Sequence, residues 1–331
     1  MPTAEELAAA LRAPIEARSG APVRSVRCTP ITAGASADTW SVDAEREDGS
    51  VERLVFRRDA GGDDFGGRIG KSSEARTQAA AHRAGVRVAE VLHVVEGDPA
   101  LGDGYLMRRL GGESLAPRIL KKPELEAARA ALVPDLATAL GRIHAIPTSE
   151  VSFLPELGAA KQLEDLHALH SGFGDPLPVF ALAHRYLATH LPEAPETTLV
   201  HGDFRLGNFL VDEHGLVGVL DWELAHRGDP HEDLGWLSVN AWRFGGKLPV
   251  GGFARREDFF EAYQRASGRR VDPGRVLFWE LFGTYKWGVI CQYQAFTYLN
   301  GGVSSIERVA IGRRVAETEV DMLSILEELC R

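Results

Sequence analysis

Three cysteines in 331 residues, Cys28, Cys291 and Cys330, are odd in number and far apart, with no pair at the spacing of a zinc ligand set or a redox couple. No disulfide framework is expected, and the thiols read as buried or incidental groups of a protein kept in a reducing cytoplasm. Positive charge is also short: 37 lysines and arginines face 47 aspartates and glutamates, a formal net charge of -10. Such a chain repels polyanions at long range, which argues against nucleic acid or an anionic membrane surface as a main partner and leaves room for a local basic pocket. Long apolar runs are missing too. The best one, Leu281 to Leu299, is interrupted by Lys286, Gln292 and Gln294, so it reads as a buried helix, and no membrane anchor is expected. The stretch Met1 to Glu16 carries Glu5, Glu6 and Arg12 among alanines, which fits an amphipathic helix and not a secretory signal. No internal repeat is evident. With 44% hydrophobic and 25% charged residues, what remains is an ordinary globular composition, sufficient for a sizeable core in two compact parts.

From Val23 to Arg58, short runs rich in Val, Thr and Trp alternate with Gly, Asp and Ser turns, the pattern of an antiparallel meander. A flexible Gly- and Asp-rich stretch, Ala60 to Lys71, precedes an Ala-rich helix over Ser73 to Ala84. Val88 to Val95 and Tyr105 to Arg108 return to strand composition. After Gly111-Gly112 the character changes. Pro123 to Ile146, Val179 to His190, Phe259 to Ala266, Phe278 to Leu299 and Arg308 to Leu329 place apolar residues at helical spacing. The fold class is therefore α+β, a β-rich first part and a mainly helical second part, with the boundary near Arg109 to Glu113.

The segment Leu199 to Glu223 is the most informative. Two apolar runs, Phe209 to Val211 and Leu216 to Leu220, flank Asp212-Glu213-His214-Gly215, which signals a β-hairpin. Counting outward from that turn puts Asn208 and Asp221 roughly opposite each other at the open mouth. An amide oxygen and a carboxylate on rigid strands make a hard-oxygen site suited to Mg2+, which takes one or two protein ligands and completes its shell with water and phosphate oxygens. Asp203, five residues before Asn208, is then placed to orient a substrate hydroxyl or accept its proton.

His201-Gly202-Asp203 with Asn208, followed by Leu220-Asp221-Trp222-Glu223, resembles the aminoglycoside phosphotransferase family, and the likeness extends over most of the chain. Gly228 to Trp236 resembles the family segment after the metal aspartate, and Trp287 to Gln292 its C-terminal helices. The resemblance implies a protein-kinase-like two-lobed fold, with residues 1–109 as a nucleotide-binding lobe and 110–331 as a catalytic and substrate-binding lobe. It implies ATP and Mg2+ as cofactors, Asp203 as catalytic base, Asn208 and Asp221 as metal ligands, and Arg205 as a cation on the γ-phosphate. Further upstream it points to Arg57 as the clamp on the α- and β-phosphates and to Glu74 as its carboxylate partner. Family members usually carry lysine at the first position. Arginine can clamp phosphate bidentately, and it resembles the branch found in the kinase portions of some acyl-CoA dehydrogenases. Gly34 and Ser36 fall where the phosphate-covering loop belongs, and Met107 to Leu110 where a hinge bonds adenine.

Several of these residues also have plainer readings. A histidine, an aspartate and an asparagine within eight residues arise often by chance, and only the hairpin and Asp221 lift the motif above a polar turn. Arg57 and Glu74 are ordinary surface types, selected only by their order relative to that motif. His201 reads as a loop-shaping hydrogen-bond donor, Asp233 as a helix cap or brace of the catalytic loop, and Asp229 as a turn residue beside Pro230. Trp236, Trp242, Phe244 and Trp287 read first as core. Gly70-Lys71-Ser72 fails as a P-loop, since the required glycine five residues earlier is Phe65, and reads as a mobile flap.

The sequence thus points to a kinase of a small-molecule hydroxyl. From Arg255 to Arg331 acidic and basic residues alternate, and Arg243, Lys247 and Lys286 lie near the motif, so a neutral or anionic acceptor is favoured over a polycation. The resemblance suggests a hydroxyacyl-CoA or hydroxy acid, with an aminoglycoside as the alternative. A nucleotide-binding pseudokinase is the rival reading. A protein kinase ranks last, because Asp221 runs within a few residues into Gly228-Asp229-Pro230 without an activation segment.

Overall fold

A computed structural model describes residues 2–31, 38–59, 61, 67–193, 196–301 and 305–330. The first helix, α1, spans Ala4–Ser19. The Thr3 hydroxyl accepts the Glu6 N–H at 3.2 Å and the Glu6 carboxylate accepts the Thr3 N–H at 2.7 Å, so two amides that the helix leaves unpaired are satisfied reciprocally. Leu7, Leu11 and Ile15 recur every four residues and bury one stripe of α1 against the sheet that follows.

That sheet begins with the expected meander, β1 (Val23–Pro30), β2 (Asp38–Arg46) and β3 (Val51–Arg58). Helix α2 (Lys71–Arg83) intervenes before β4 (Val91–Asp98) and β5 (Gly102–Arg108), and the five strands pair antiparallel in the order β1-β2-β3-β5-β4. Trp40, Val42 and Ala44 alternate inward on β2, the period of two that a half-buried strand requires. β4 starts three residues later than composition suggests, and within those three residues the Ala89 carbonyl accepts Gln78 Nε2 of α2 at 2.7 Å. The Gly70-Lys71-Ser72 segment is also not wholly a flap. Lys71 and Ser72 open α2, and Lys71 is buried with its ammonium 2.5 Å from Glu74.

The second part contains α3 (Ala116–Lys121), α4 (Glu126–His144), α5 (Ala159–Gly172), α6 (Pro178–Thr189), the short strands β6 (Thr198–Val200), β7 (Phe209–Asp212), β8 (Gly215–Val219) and β9 (His226–Gly228), then α7 (His231–Ser238), α8 (Arg256–Ser267), α9 (Pro273–Leu299), α10 (Ile306–Gly312) and α11 (Val315–Leu329). The single helix expected over 308–329 is two, broken at Arg313-Arg314. Its core gathers α4, α7, α8 and the β7–β8 hairpin around Leu132, Leu136, Phe209 and Trp222. Asp229, read as a turn residue, does accept the His231 N–H two residues on at 3.0 Å, and it is also buried and accepts from Arg275 Nε at 2.6 Å and Trp279 Nε1 at 2.8 Å. No helix among the described residues is long and apolar enough to cross a membrane.

α7 lies on α9 at close range, and Gly235 permits it. A Cβ at Gly235 would fall 2.6 Å from the Trp279 carbonyl carbon and 2.8 Å from the Glu280 amide nitrogen, both backbone atoms that cannot swing aside. Gly235→Ala is therefore expected to cost about 1–3 kcal/mol by overpacking, read as a lowered midpoint in chemical denaturation.

Candidate active site

The loop before β7 alternates between core and cleft. Phe204 and Leu206 are fully buried, while Asp203 and Arg205 direct their polar groups to one another, with Arg205 Nε 2.9 Å from Asp203 Oδ1. β7 and β8 pair Phe209 with Val219, and the Leu220 N–H donates to the Asn208 carbonyl at 2.8 Å, so Asp221 emerges one step beyond the residue facing Asn208. Asn208 turns its amide back along the loop and donates to the Asp203 carbonyl at 3.0 Å and to Asp203 Oδ2 at 2.5 Å. Asp221 holds φ at 65°, a left-handed conformation costly for a side chain with a Cβ and tolerated where surroundings impose it.

Two buried groups hold this loop. Asp233 on α7 accepts the His201 N–H at 2.8 Å and the Gly202 N–H at 3.0 Å, and it meets His144 Nε2 at 3.1 Å, with Tyr263 on the other imidazole nitrogen at 2.7 Å. His201 Nδ1 accepts the Asp203 N–H at 3.2 Å, which makes Nε2 the donor to the Leu220 carbonyl at 3.0 Å. The loop carrying Asp203 and the strand end carrying Asp221 are thereby tied through one imidazole. Gly202, at φ 79°, runs so close to the Leu224 carbonyl that a Cβ there would collide with it.

The sheet reaches the same place. Arg57 on β3 sets Nε 2.8 Å from Glu74 of α2 and Nη2 2.5 Å from Asp221 and 3.2 Å from Glu223. Glu74 is further held by Lys71 and by the Tyr105 hydroxyl at 2.9 Å. Burial alone would raise the Asp221 carboxyl, but the Arg57 and Arg205 guanidiniums outweigh it and hold it below the ordinary aspartate range. Burial and the nearby Asp221 charge push Glu223 the other way, up, against Arg68 and Arg57. Burial depresses His201, although Asp233, Asp203 and Asp221 all pull it up.

Arg57, Glu74, Asp203, Arg205, Asn208 and Asp221 therefore come together where the sheet meets the helical part. Met107 lies on β5 with its sulfur 3.4 Å from Gln78 Nε2, and Leu110 follows that strand and packs on β8, its Cδ1 2.7 Å from where a Gly218 Cβ would stand. Gly34 and Ser36 lie outside the described residues. Sequence reading missed Glu223 and Lys71, because the contacts that define them are made by residues brought together only on folding. Arg243, read as lying near the motif, bonds Glu280 at 3.0 Å and the Ser238 carbonyl at 2.8 Å.

A five-stranded antiparallel sheet with one inserted helix, followed by a helical part that presents a loop and hairpin of this kind, is the two-lobed architecture of protein-kinase-like phosphotransferases. A model of the phosphotransferase enzyme family, the family of the aminoglycoside phosphotransferases, matches residues 27–279, and the chain belongs to it. Mouse acyl-CoA dehydrogenase family member 10 is 30% identical over 211 residues, which are 60% of this chain and 19% of that protein. The chain thus spans about a fifth of that relative's length. A Ralstonia eutropha protein provisionally named an aminoglycoside phosphotransferase superposes with a TM-score of 0.76 at 20% identity, over 97% of this chain and 98% of its own. Spectinomycin phosphotransferase, solved with ADP and spectinomycin, gives 0.62 at 13% identity over 95% and 98%. At these identities the two structures establish the fold.

Proposed function

We propose that the protein transfers the γ-phosphate of ATP to a hydroxyl of a small molecule, with residues 1–109 holding the nucleotide and 110–331 supplying catalysis and the acceptor site. The observation that carries this reading is the convergence of Asp203, Asn208 and Asp221 beside the Arg57–Glu74 pair. The donor set suits Mg2+: an amide and a carboxylate kept anionic by two arginines, both hard oxygen ligands. When bound there, the ion supplies charge neutralisation for the phosphates. Arg57 and Arg205 add the cationic charge that the transferring phosphoryl group requires. Asp203 aligns the acceptor hydroxyl. As the new O–P bond forms, the bond from the γ-phosphorus to the bridging oxygen breaks, ADP leaves with that electron pair, and the hydroxyl proton passes to Asp203. Met107 and Leu110 are assigned to the adenine side, and Gly34 and Ser36 to the phosphate side.

For the acceptor, a hydroxyacyl-CoA or related hydroxy acid is favoured. A polycationic aminoglycoside needs exposed carboxylates, yet Glu280, the buried acid of α9, is already neutralised by Arg243 at 3.0 Å and Arg256 at 2.7 Å. Lys286 stands 5.0 Å over the Trp236 ring near the proposed base. The thiols are unbridged, Cys28 and Cys291 buried and Cys330 exposed, which supports a cytoplasmic setting. An assay of ADP release over hydroxyacyl-CoA thioesters, free hydroxy acids and aminoglycosides tests the reading. Release with the first two classes is expected. Release with aminoglycosides alone overturns the acceptor assignment, and ATP binding with no release from any acceptor indicates the pseudokinase, which Arg57 in place of lysine would suit.

A further inference from the structure

We infer that Trp236 is a positioning residue for the proposed base, selecting which oxygen of Asp203 receives the acceptor's proton. This rests on the reading of Asp203 as that base. The Trp236 indole N–H donates to Asp203 Oδ1 at 2.7 Å from α7, a bond buried on both sides. Oδ1 also accepts from Arg205 at 2.9 Å, whereas among the described residues Oδ2 accepts side-chain donation from Asn208 alone, at 2.5 Å. A carboxylate oxygen has two lone-pair sites. Oδ1 is filled, and Oδ2 keeps one site for an incoming hydroxyl.

The three donors differ in what else they are needed for. Arg205 is assigned to the γ-phosphate, and its guanidinium lies 4.3 Å from the Trp242 ring. Asn208 is assigned to the metal. The Arg205 bond is shared with the phosphate when nucleotide arrives, whereas Asn208 offers the metal its amide oxygen and keeps its N–H on Oδ2, so Oδ1 depends on Trp236. Trp236 is assigned to neither phosphate nor metal, and its ring is wedged. A Cβ on Gly283 of α9 would sit 2.9 Å from Trp236 Cε3, the Trp242 ring centre is 5.2 Å away, and the Lys286 ammonium covers the ring face at 5.0 Å. A charge-assisted N–H···O bond from a wedged ring sets the plane of the carboxylate before the acceptor enters.

Trp236→Phe keeps an aromatic ring, smaller than the indole, and removes the N–H. With an acceptor found by the ADP-release panel, kcat is expected to fall about 10- to 100-fold, the scale of a small misplacement at a reacting group, with KM for ATP unchanged. Gly283→Ala, which displaces the ring with its N–H intact, is expected to reproduce the kcat loss. An acceptor-independent arm uses 15N-indole spectra, in which the Trp236 signal is identified by its absence from Trp236→Phe. In Asp203→Asn that signal is expected to move upfield further than any other indole, a change that packing alone does not produce. Wild-type kcat in Trp236→Phe, or an indole signal indifferent to Asp203→Asn, overturns the inference while the inactivity of Asp203→Asn leaves the base assignment standing. Wild-type turnover in Asp203→Asn removes both.

Discussion

Exchanging Asp203 for asparagine is expected to lower phosphoryl transfer about 10²–10⁴-fold, the usual contribution of a positioned acid–base group. The replacement is nearly isosteric and keeps an oxygen for the Arg205 and Trp236 donors, so the fold survives. What it loses is the ability to take a proton. Its new amide would also face the Asn208 amide, donor to donor, unless one of them turns over. Arg57 and Asp221, proposed to hold the phosphates and the metal, are untouched, so kcat is expected to fall while the KM for ATP stays. Steady-state ADP release beside a thermal melt separates this from unfolding, and unchanged kcat in a folded variant contradicts the assignment.

Removing the Asp233 carboxylate is expected to have the largest effect on stability. Asp233 is wholly buried, and Asp233→Ala strands the His201 and Gly202 amides and leaves His144 without its acidic partner. Each buried unpaired group costs about 1–3 kcal/mol, and loss of one partner from a buried network typically costs about 3–5 kcal/mol. Denaturant titration at neutral pH should show a loss in that range, with turnover falling too because the loop that carries Asp203 is released. The pH dependence has a definite sign. Burial would raise this carboxyl, but the hydrogen bond and charge of His144, with His201, hold it below the ordinary value. A depressed folded value contributes stability that is complete above the unfolded aspartate pKa of about 3.9 and is lost as pH falls further. The wild-type protein should thus lose stability below about pH 4 more steeply than Asp233→Ala, the carboxyl-free control.

The parts legible in the sequence were those fixed by short-range chemistry. The Asp212 to Gly215 turn sets the hairpin and brings Asn208 near Asp221 to within a step or two, and an irregularity between Leu210 and Val211 shifts the pairing by one residue so that Leu220 faces Asn208. The β1–β3 meander could be read from alternation, and α9 from its apolar length. α5 was not foreseen, because only Leu163 and His170 are buried along its fourteen residues and the apolar stripe is faint. Lys71 looked like loop because glycines precede it, yet its place is decided by Glu74 across the first turn of α2. Glu223 was read only as the end of the motif, since its partner Arg57 is 166 residues away in the chain. Asp233 was legible as a brace, but the identity of what it braces required the fold to bring α7 under the loop.

The most direct measurement is a crystal structure with Mg2+ and a non-hydrolysable ATP analogue. The account predicts the ion on the Asn208 amide oxygen and the Asp221 carboxylate, Arg57 turned from Asp221 toward the phosphates, and Asp203 Oδ2 open beside the γ-phosphate. A nucleotide seated away from these side chains, or an ion held by other residues, contradicts it.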